Sequence, residues 1–111
     1  MSGTVFTLQL ADTPDGAASV ATVGGEIDVT NAEDFTESIN GLSGNRTVVL
    51  DLSPLRYLDS AGFAALDRLI VERGVVIVIS PESLVQRAAV VMELPYHPDT
   101  DSALQAAEAR S

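Results

Sequence analysis

The chain has 111 residues, 46% of them hydrophobic, which suits one domain with a buried core. Six basic residues, all arginine, stand against sixteen carboxylates for a formal net charge of −10, a balance that repels free nucleic acid and anionic membrane. The absence of cysteine excludes a disulfide framework, a thiolate nucleophile and a cysteine metal site.

No stretch approaches the roughly 18 apolar residues of a membrane span. Met1 to Leu10 lack the basic start and apolar run of a signal peptide, so a soluble, cytoplasmic protein without membrane insertion is expected.

Thr4 to Leu10 alternates apolar and polar residues, and a second β-prone run, Ser19 to Val23, stops at Gly24-Gly25; together they predict an opening hairpin around Asp12 to Gly16. Thr30 with Glu33 three residues on reads as a capping box for a first helix, whose face is Ala32, Phe35, Ile39 and Leu42 and whose end is marked by Gly41 and Gly44. Thr47 to Leu52 is short, apolar and β-branched, as a strand buried on both faces should be. Ser53 to Leu58 reads as a loop. A second helix follows from Ser60 to Arg73, with Phe63, Leu66 and Ile70 on one face and Gly74 placed to cap it. Val75 to Ile79 repeats the buried-strand pattern. Ser80-Pro81 then predicts the start of a third helix with Leu84, Ala88 and Val91 on its face. Pro95 and Pro98 break the chain before a last short helix from Thr100 to Ala109, whose alanine-rich tail can fray. The expected fold is one α/β domain spanning residues 1–111, a mixed sheet of four to five strands flanked by about four helices.

The segment Asp59-Ser60-Ala61-Gly62 carries the most specific chemistry. A serine at a helix start lies near unpaired N–H groups, where hydrogen bonds and the helix dipole favour a phosphate. Capping of the helix by Asp59 or Ser60 is the plainer role for the same residues. Gly62 likewise has two readings: it relieves crowding against the sheet, or it lets a partner approach the serine closely.

Gly25-Glu26-Ile27-Asp28, and Leu50-Asp51-Leu52-Ser53 through Leu58-Asp59-Ser60-Ala61-Gly62-Phe63, resemble the two landmarks of STAS domains, and the order of elements resembles the family over nearly the whole chain. The resemblance implies an anti-sigma factor antagonist that docks onto an anti-sigma factor, usually a serine kinase of the GHKL type, and so releases a sigma factor for transcription. It further implies that phosphorylation of a hydroxyl at the start of the second helix, here Ser60, switches docking off, with a serine phosphatase as a further partner. Asp28, Asp59, Ser60, Ala61, Gly62 and Phe63 are the docking residues it points to. Many members carry two adjacent hydroxyl residues between the aspartate and the glycine, whereas Ala61 takes the second place here, leaving Ser60 as the candidate at the motif. That departure keeps open an unphosphorylated adaptor subunit serving a transporter or another signalling complex. Asp28 also reads as a turn residue or a cap before the first helix.

An enzyme is not expected, and neither is a cofactor or a metal. His97 lies in a turn-rich stretch with no cysteine to share a metal. Asp51 and Asp59 lack a third ligand and read as a strand end and a helix cap. A phosphoacceptor receiver domain would need a late lysine and an early acidic pair, and the chain has no lysine. No serine-histidine-acid spacing recommends a hydrolase, and no glycine-rich phosphate cradle ending in lysine occurs.

Overall fold

In the computed structural model, which describes residues 5–42 and 46–109, the chain opens with the expected hairpin: β1 (Phe6–Asp12) pairs antiparallel with β2 (Ala18–Ile27). Asp15 fixes the turn by accepting hydrogen bonds from the Thr13 hydroxyl and the Ala17 N–H, and Gly16 adopts a positive φ of 73°. The start expected at Thr4 lies outside the described residues. β2 does not stop at Gly24-Gly25 but continues to Ile27. Gly25 sits at φ 86°, where a side chain would collide with the Val5 carbonyl, and the pairing register shifts between Gly25 and Glu26. The glycines mark an irregularity inside the strand, not its end.

Helix α1 (Ala32–Asn40) buries Ala32, Phe35 and Ile39 as predicted. Its N-cap is Asn31, and the expected Thr30–Glu33 capping box gives way to a different arrangement. Asp28 accepts from both the amide and the hydroxyl of Thr30, an Asx-type turn that draws the threonine away from the helix start. Gly41 closes the helix with its N–H on the Glu37 carbonyl at 2.9 Å, while Gly44, the second expected terminator, lies outside the described residues.

β3 (Thr47–Asp51) runs parallel to the first half of β2, and β4 (Leu55–Leu58) runs parallel to its second half. The stretch Ser53 to Leu58, expected to be a loop, is thus mostly a strand. β5 (Val76–Val78) flanks β3, completing a five-stranded mixed sheet in the order β1-β2-β3-β5 with β4 also on β2. Helix α2 (Ser60–Arg73) has the predicted bounds, capped by Gly74 in the left-handed conformation at φ 69°.

Strand alternation divides the core between the two faces of the sheet. On one face Val23, Leu50 and Ile77 pack with Phe35 of α1 and Phe63, Leu66 and Leu69 of α2; on the other Val49, Val76 and Val78 meet Ala103 of α4 (Thr100–Ala109). The ring of Phe6, only partly buried, meets Phe35 edge-on at 5.5 Å. The alanine-rich tail is helical as far as Ala109 but packed only through Ala103, Leu104 and Ala107, with Glu108 and Ala109 exposed and Arg110 and Ser111 outside the described residues. His97 is half-buried and bridges Val78, its N–H on the Ile77 carbonyl at 2.8 Å.

The third helix departs most from expectation. Ser80-Pro81 begins a turn, closed by the Ser83 N–H on the Ser80 carbonyl, and α3 (Gln86–Val91) starts five residues later. Its buried side is Val85 and Ala89, so Leu84 and Val91, both 73% exposed, face away from the core. The turn carries Val85 into the core in place of Leu84, and this re-aims the whole helix.

Candidate functional site

The carboxyl ends of the parallel strands β2 and β4 lie side by side, where α/β sheets ordinarily place their binding crevices. Ile27 leads into Asp28 and Leu58 into Asp59. The Asp59 carboxylate ties both connections together: one oxygen accepts the Gly62 N–H at 3.0 Å, capping α2, and the other accepts the Val29 N–H at 3.3 Å from the turn before α1. Asn31 braces that turn from within, accepting the Asp28 N–H and donating to the Glu26 carbonyl, each at 2.9 Å. Asp28 is occupied with Thr30, and so organises the turn beside the serine.

Ser60 is the first residue of α2 and is exposed. Ala61, next along, packs partly against the core, so a hydroxyl in its place would be less accessible than that of Ser60. Gly62 and Phe63 are buried. A Cβ on Gly62 would lie 3.2 Å from both the Ile27 carbonyl and its Cγ2, and closer still to the Leu58 side chain. The space the glycine leaves is therefore used by the sheet, which supports the packing role among its two readings.

An open groove of about 540 Å³ runs past Ser60. Leu58, Asp59, Ser60 and Phe63 form one wall, and Leu84, Arg87, Ala88, Val91 and Met92 of the α3 region form the other. Val29, 76% exposed, lies in the turn that Asp59 ties to this site. The groove's second wall escaped the sequence reading, which gave the helix a face of Leu84, Ala88 and Val91; of these, Ala88 packs partly against the core while Leu84 and Val91 are exposed. Two adjacent apolar stripes, that one and Val85 with Ala89, exceed what one buried face needs, and that excess was the available signal. A further cavity of about 550 Å³, between the hairpin turn and α4, gathers none of the predicted site residues.

The other candidates have structural roles. Asp51 accepts the Ser53 N–H at 3.0 Å and shapes the exit from β3. Among the described residues no group of three or more histidine or acidic side chains is placed to hold a metal ion. None of the described helices is long and apolar enough to cross a membrane.

Residues 10–94 match the family model described as the STAS domain. No curated protein sequence matches the chain. Among solved structures it is similar to an anti-sigma factor antagonist from Mycobacterium paratuberculosis, at 24% identity and a TM-score of 0.71 over 92% of this chain and 93% of that one. It is also similar to an antisigma-factor antagonist, STAS domain, from Rhodobacter sphaeroides, at 23% identity and a TM-score of 0.55 over 65% of this chain and 82% of that one. At these identities the two structures establish the shared fold.

Proposed function

Because the chain belongs to the STAS domain family, we propose that it is an anti-sigma factor antagonist, a single non-catalytic domain that binds an anti-sigma factor in the cytoplasm and so releases a sigma factor. The partner is a serine kinase of the GHKL type, which phosphorylates Ser60 and thereby ends its own capture; a serine phosphatase restores the docking form. The observation that carries this reading is an exposed serine on the wall of an open apolar groove, at a helix start already fastened by Asp59. Exposed Leu84, Val91 and Met92 supply apolar surface for a partner, Asp59 and Phe63 line the groove beside the serine, and Asp28 and Ala61 lie in the adjoining turn and first helical turn.

A phosphate adds about 1.5 to 2 negative charges at neutral pH, and the N–H groups of the first turn of α2 tolerate it. The fold survives while docking is lost. Unpaired like charge and desolvation in a close interface weaken binding by about 30-fold to several thousandfold. Calorimetry against the anti-sigma factor should therefore find Ser60→Ala binding like the unmodified protein and Ser60→Asp binding much more weakly, with both variants folded by circular dichroism. Equal affinity of Ser60→Asp and unmodified protein would overturn the switch. An unphosphorylated adaptor, the reading that Ala61 keeps open, would then stand, and recovery of a transporter ATPase with the protein from native cells would identify it.

A further inference from the structure

Arg87 is the one arginine among the described residues with no ion-pair or hydrogen-bond partner. Arg46 pairs with Asp12, Arg56 with Glu26 and Arg68 with Glu72, and Arg73 donates to the carbonyls of Asn40 and Leu42. A chain with sixteen carboxylates thus leaves one described guanidinium unclaimed, and it lines the wall of the groove opposite Ser60. The other charged residue of that groove, Asp59, has both carboxylate oxygens engaged by backbone N–H groups.

A guanidinium offers a planar fork of donors that matches phosphate oxygens two at a time, on a long and flexible stem. We infer that Arg87 is the intramolecular counter-ion of phosphorylated Ser60, reaching across the groove from α3 to the start of α2. The inference rests on the reading of Ser60 as the modified residue, and it adds a mechanism. Phosphorylation then closes the groove between Leu58 and Ala88 with the protein's own side chain, besides adding charge. A partner loses the apolar cleft, and any acidic group it presents loses Arg87.

The test installs phosphoserine at position 60 during synthesis, so that no kinase is needed, and follows the second ionisation of the phosphate by phosphorus NMR. Asp28 and Asp59 oppose that ionisation, whereas the start of α2 and Arg87 favour it; Arg87→Gln changes only the last of these. The apparent pKa of the phosphate should rise by about half a unit in Arg87→Gln, roughly a threefold shift in its protonation equilibrium, as expected for a partly exposed ion pair. Arg87→Lys should restore part of the difference, and Arg68→Gln, outside the groove, should shift it less than Arg87→Gln does. An unchanged value in Arg87→Gln, or a shift no larger than that of Arg68→Gln, overturns the inference. If that happens while Ser60→Asp still abolishes docking, the proposed function stands without the clamp. If the clamp is seen but Ser60→Asp docks normally, the clamp stands and the proposed function falls.

Discussion

At the scale of single residues, one carboxylate holds the site together. Asp59 caps α2 through Gly62, holds the Val29 amide, and sets its own N–H 3.3 Å from the Ile27 carbonyl. Asp59→Ala should cost about 1 kcal/mol through loss of the cap. Asp59→Asn keeps an accepting oxygen at the cap but turns an NH2 donor toward the Val29 N–H, so it should retain the cap and lose only the longer 3.3 Å contact, costing less than Asp59→Ala. Urea denaturation of the two variants isolates the cap, and equal losses would mean that the cap to Gly62 contributes nothing beyond the Val29 contact and the charge, which both variants remove. Gly62 faces inward, so Gly62→Ala forces Leu58 aside and presses on Ile27. Overpacking of about 1–3 kcal/mol exceeds the gain of up to about 1 kcal/mol in helix propensity, so the variant should lose stability. Weakened docking at unchanged stability would restore the view that the glycine serves the partner. The string Asp59-Ser60-Ala61-Gly62 was legible as a capped helix start, but the direction of Gly62 was not, because it depends on Ile27, thirty-odd residues away in sequence.

At the scale of elements, the fully buried strands carry the architecture. Val49 is 0% and Ile77 2% exposed, on opposite faces of the sheet. An unpaired charge at either place costs several kcal/mol, about the whole stability of a small domain, so Ile77→Asp should leave the protein unfolded at 25 °C by circular dichroism. A cooperative thermal transition in that variant would refute the core assignment. The runs Thr47–Leu52 and Val75–Ile79 announced these strands through unbroken apolar, β-branched sequence, and α2 announced itself by helical spacing between an aspartate and a glycine. β4 gave no such signal. It has four residues, follows Pro54, and leaves Arg56 and Tyr57 exposed, so it exists because β2 offers an edge beyond the end of β3. The start of α3 misled for the converse reason. Ser80-Pro81 is a good local helix opening, but the Ser83 N–H closes a turn on the Ser80 carbonyl, the Ser80 N–H is held by the Ser53 hydroxyl from across the fold, and the core takes Val85 rather than Leu84. Local pattern identified what is stabilised locally or by burial on both faces, and missed what a distant partner decides.

At the scale of the molecule, stability is governed by an excess of negative charge. The described ion pairs are all exposed, and such pairs contribute about 0–1 kcal/mol each, too little to offset the mutual repulsion of a chain at −10. Raising salt from 0.1 to 1 M shortens the screening length from about 10 to 3 Å and weakens both effects, but the repulsion is the more extended. The urea midpoint at pH 7 should therefore rise with sodium chloride, and more steeply in protein carrying phosphoserine at position 60. A midpoint that falls with salt would show that the pairs dominate. Acid acts in the opposite direction on three particular groups. The Ser19 hydroxyl and Arg46 hold Asp12 below the ordinary carboxylate range, the Thr13 hydroxyl and the Ala17 N–H do so for Asp15, and the Ser102 N–H and hydroxyl do so for Asp99 ahead of α4. Each remains ionised in the folded chain at a pH where the unfolded chain has begun to take up protons. Their stabilisation is complete above the ordinary aspartate value of 3.8 and is lost as pH falls through the depressed folded values. The salt benefit should thus fade as the net charge is titrated away toward the sequence pI of about 4.1, with acid unfolding setting in below that point. Asp99→Asn should flatten the acid limb, because an amide keeps an accepting oxygen for Ser102 at every pH, and an acid limb as steep as that of the unmodified protein would remove Asp99 from the account.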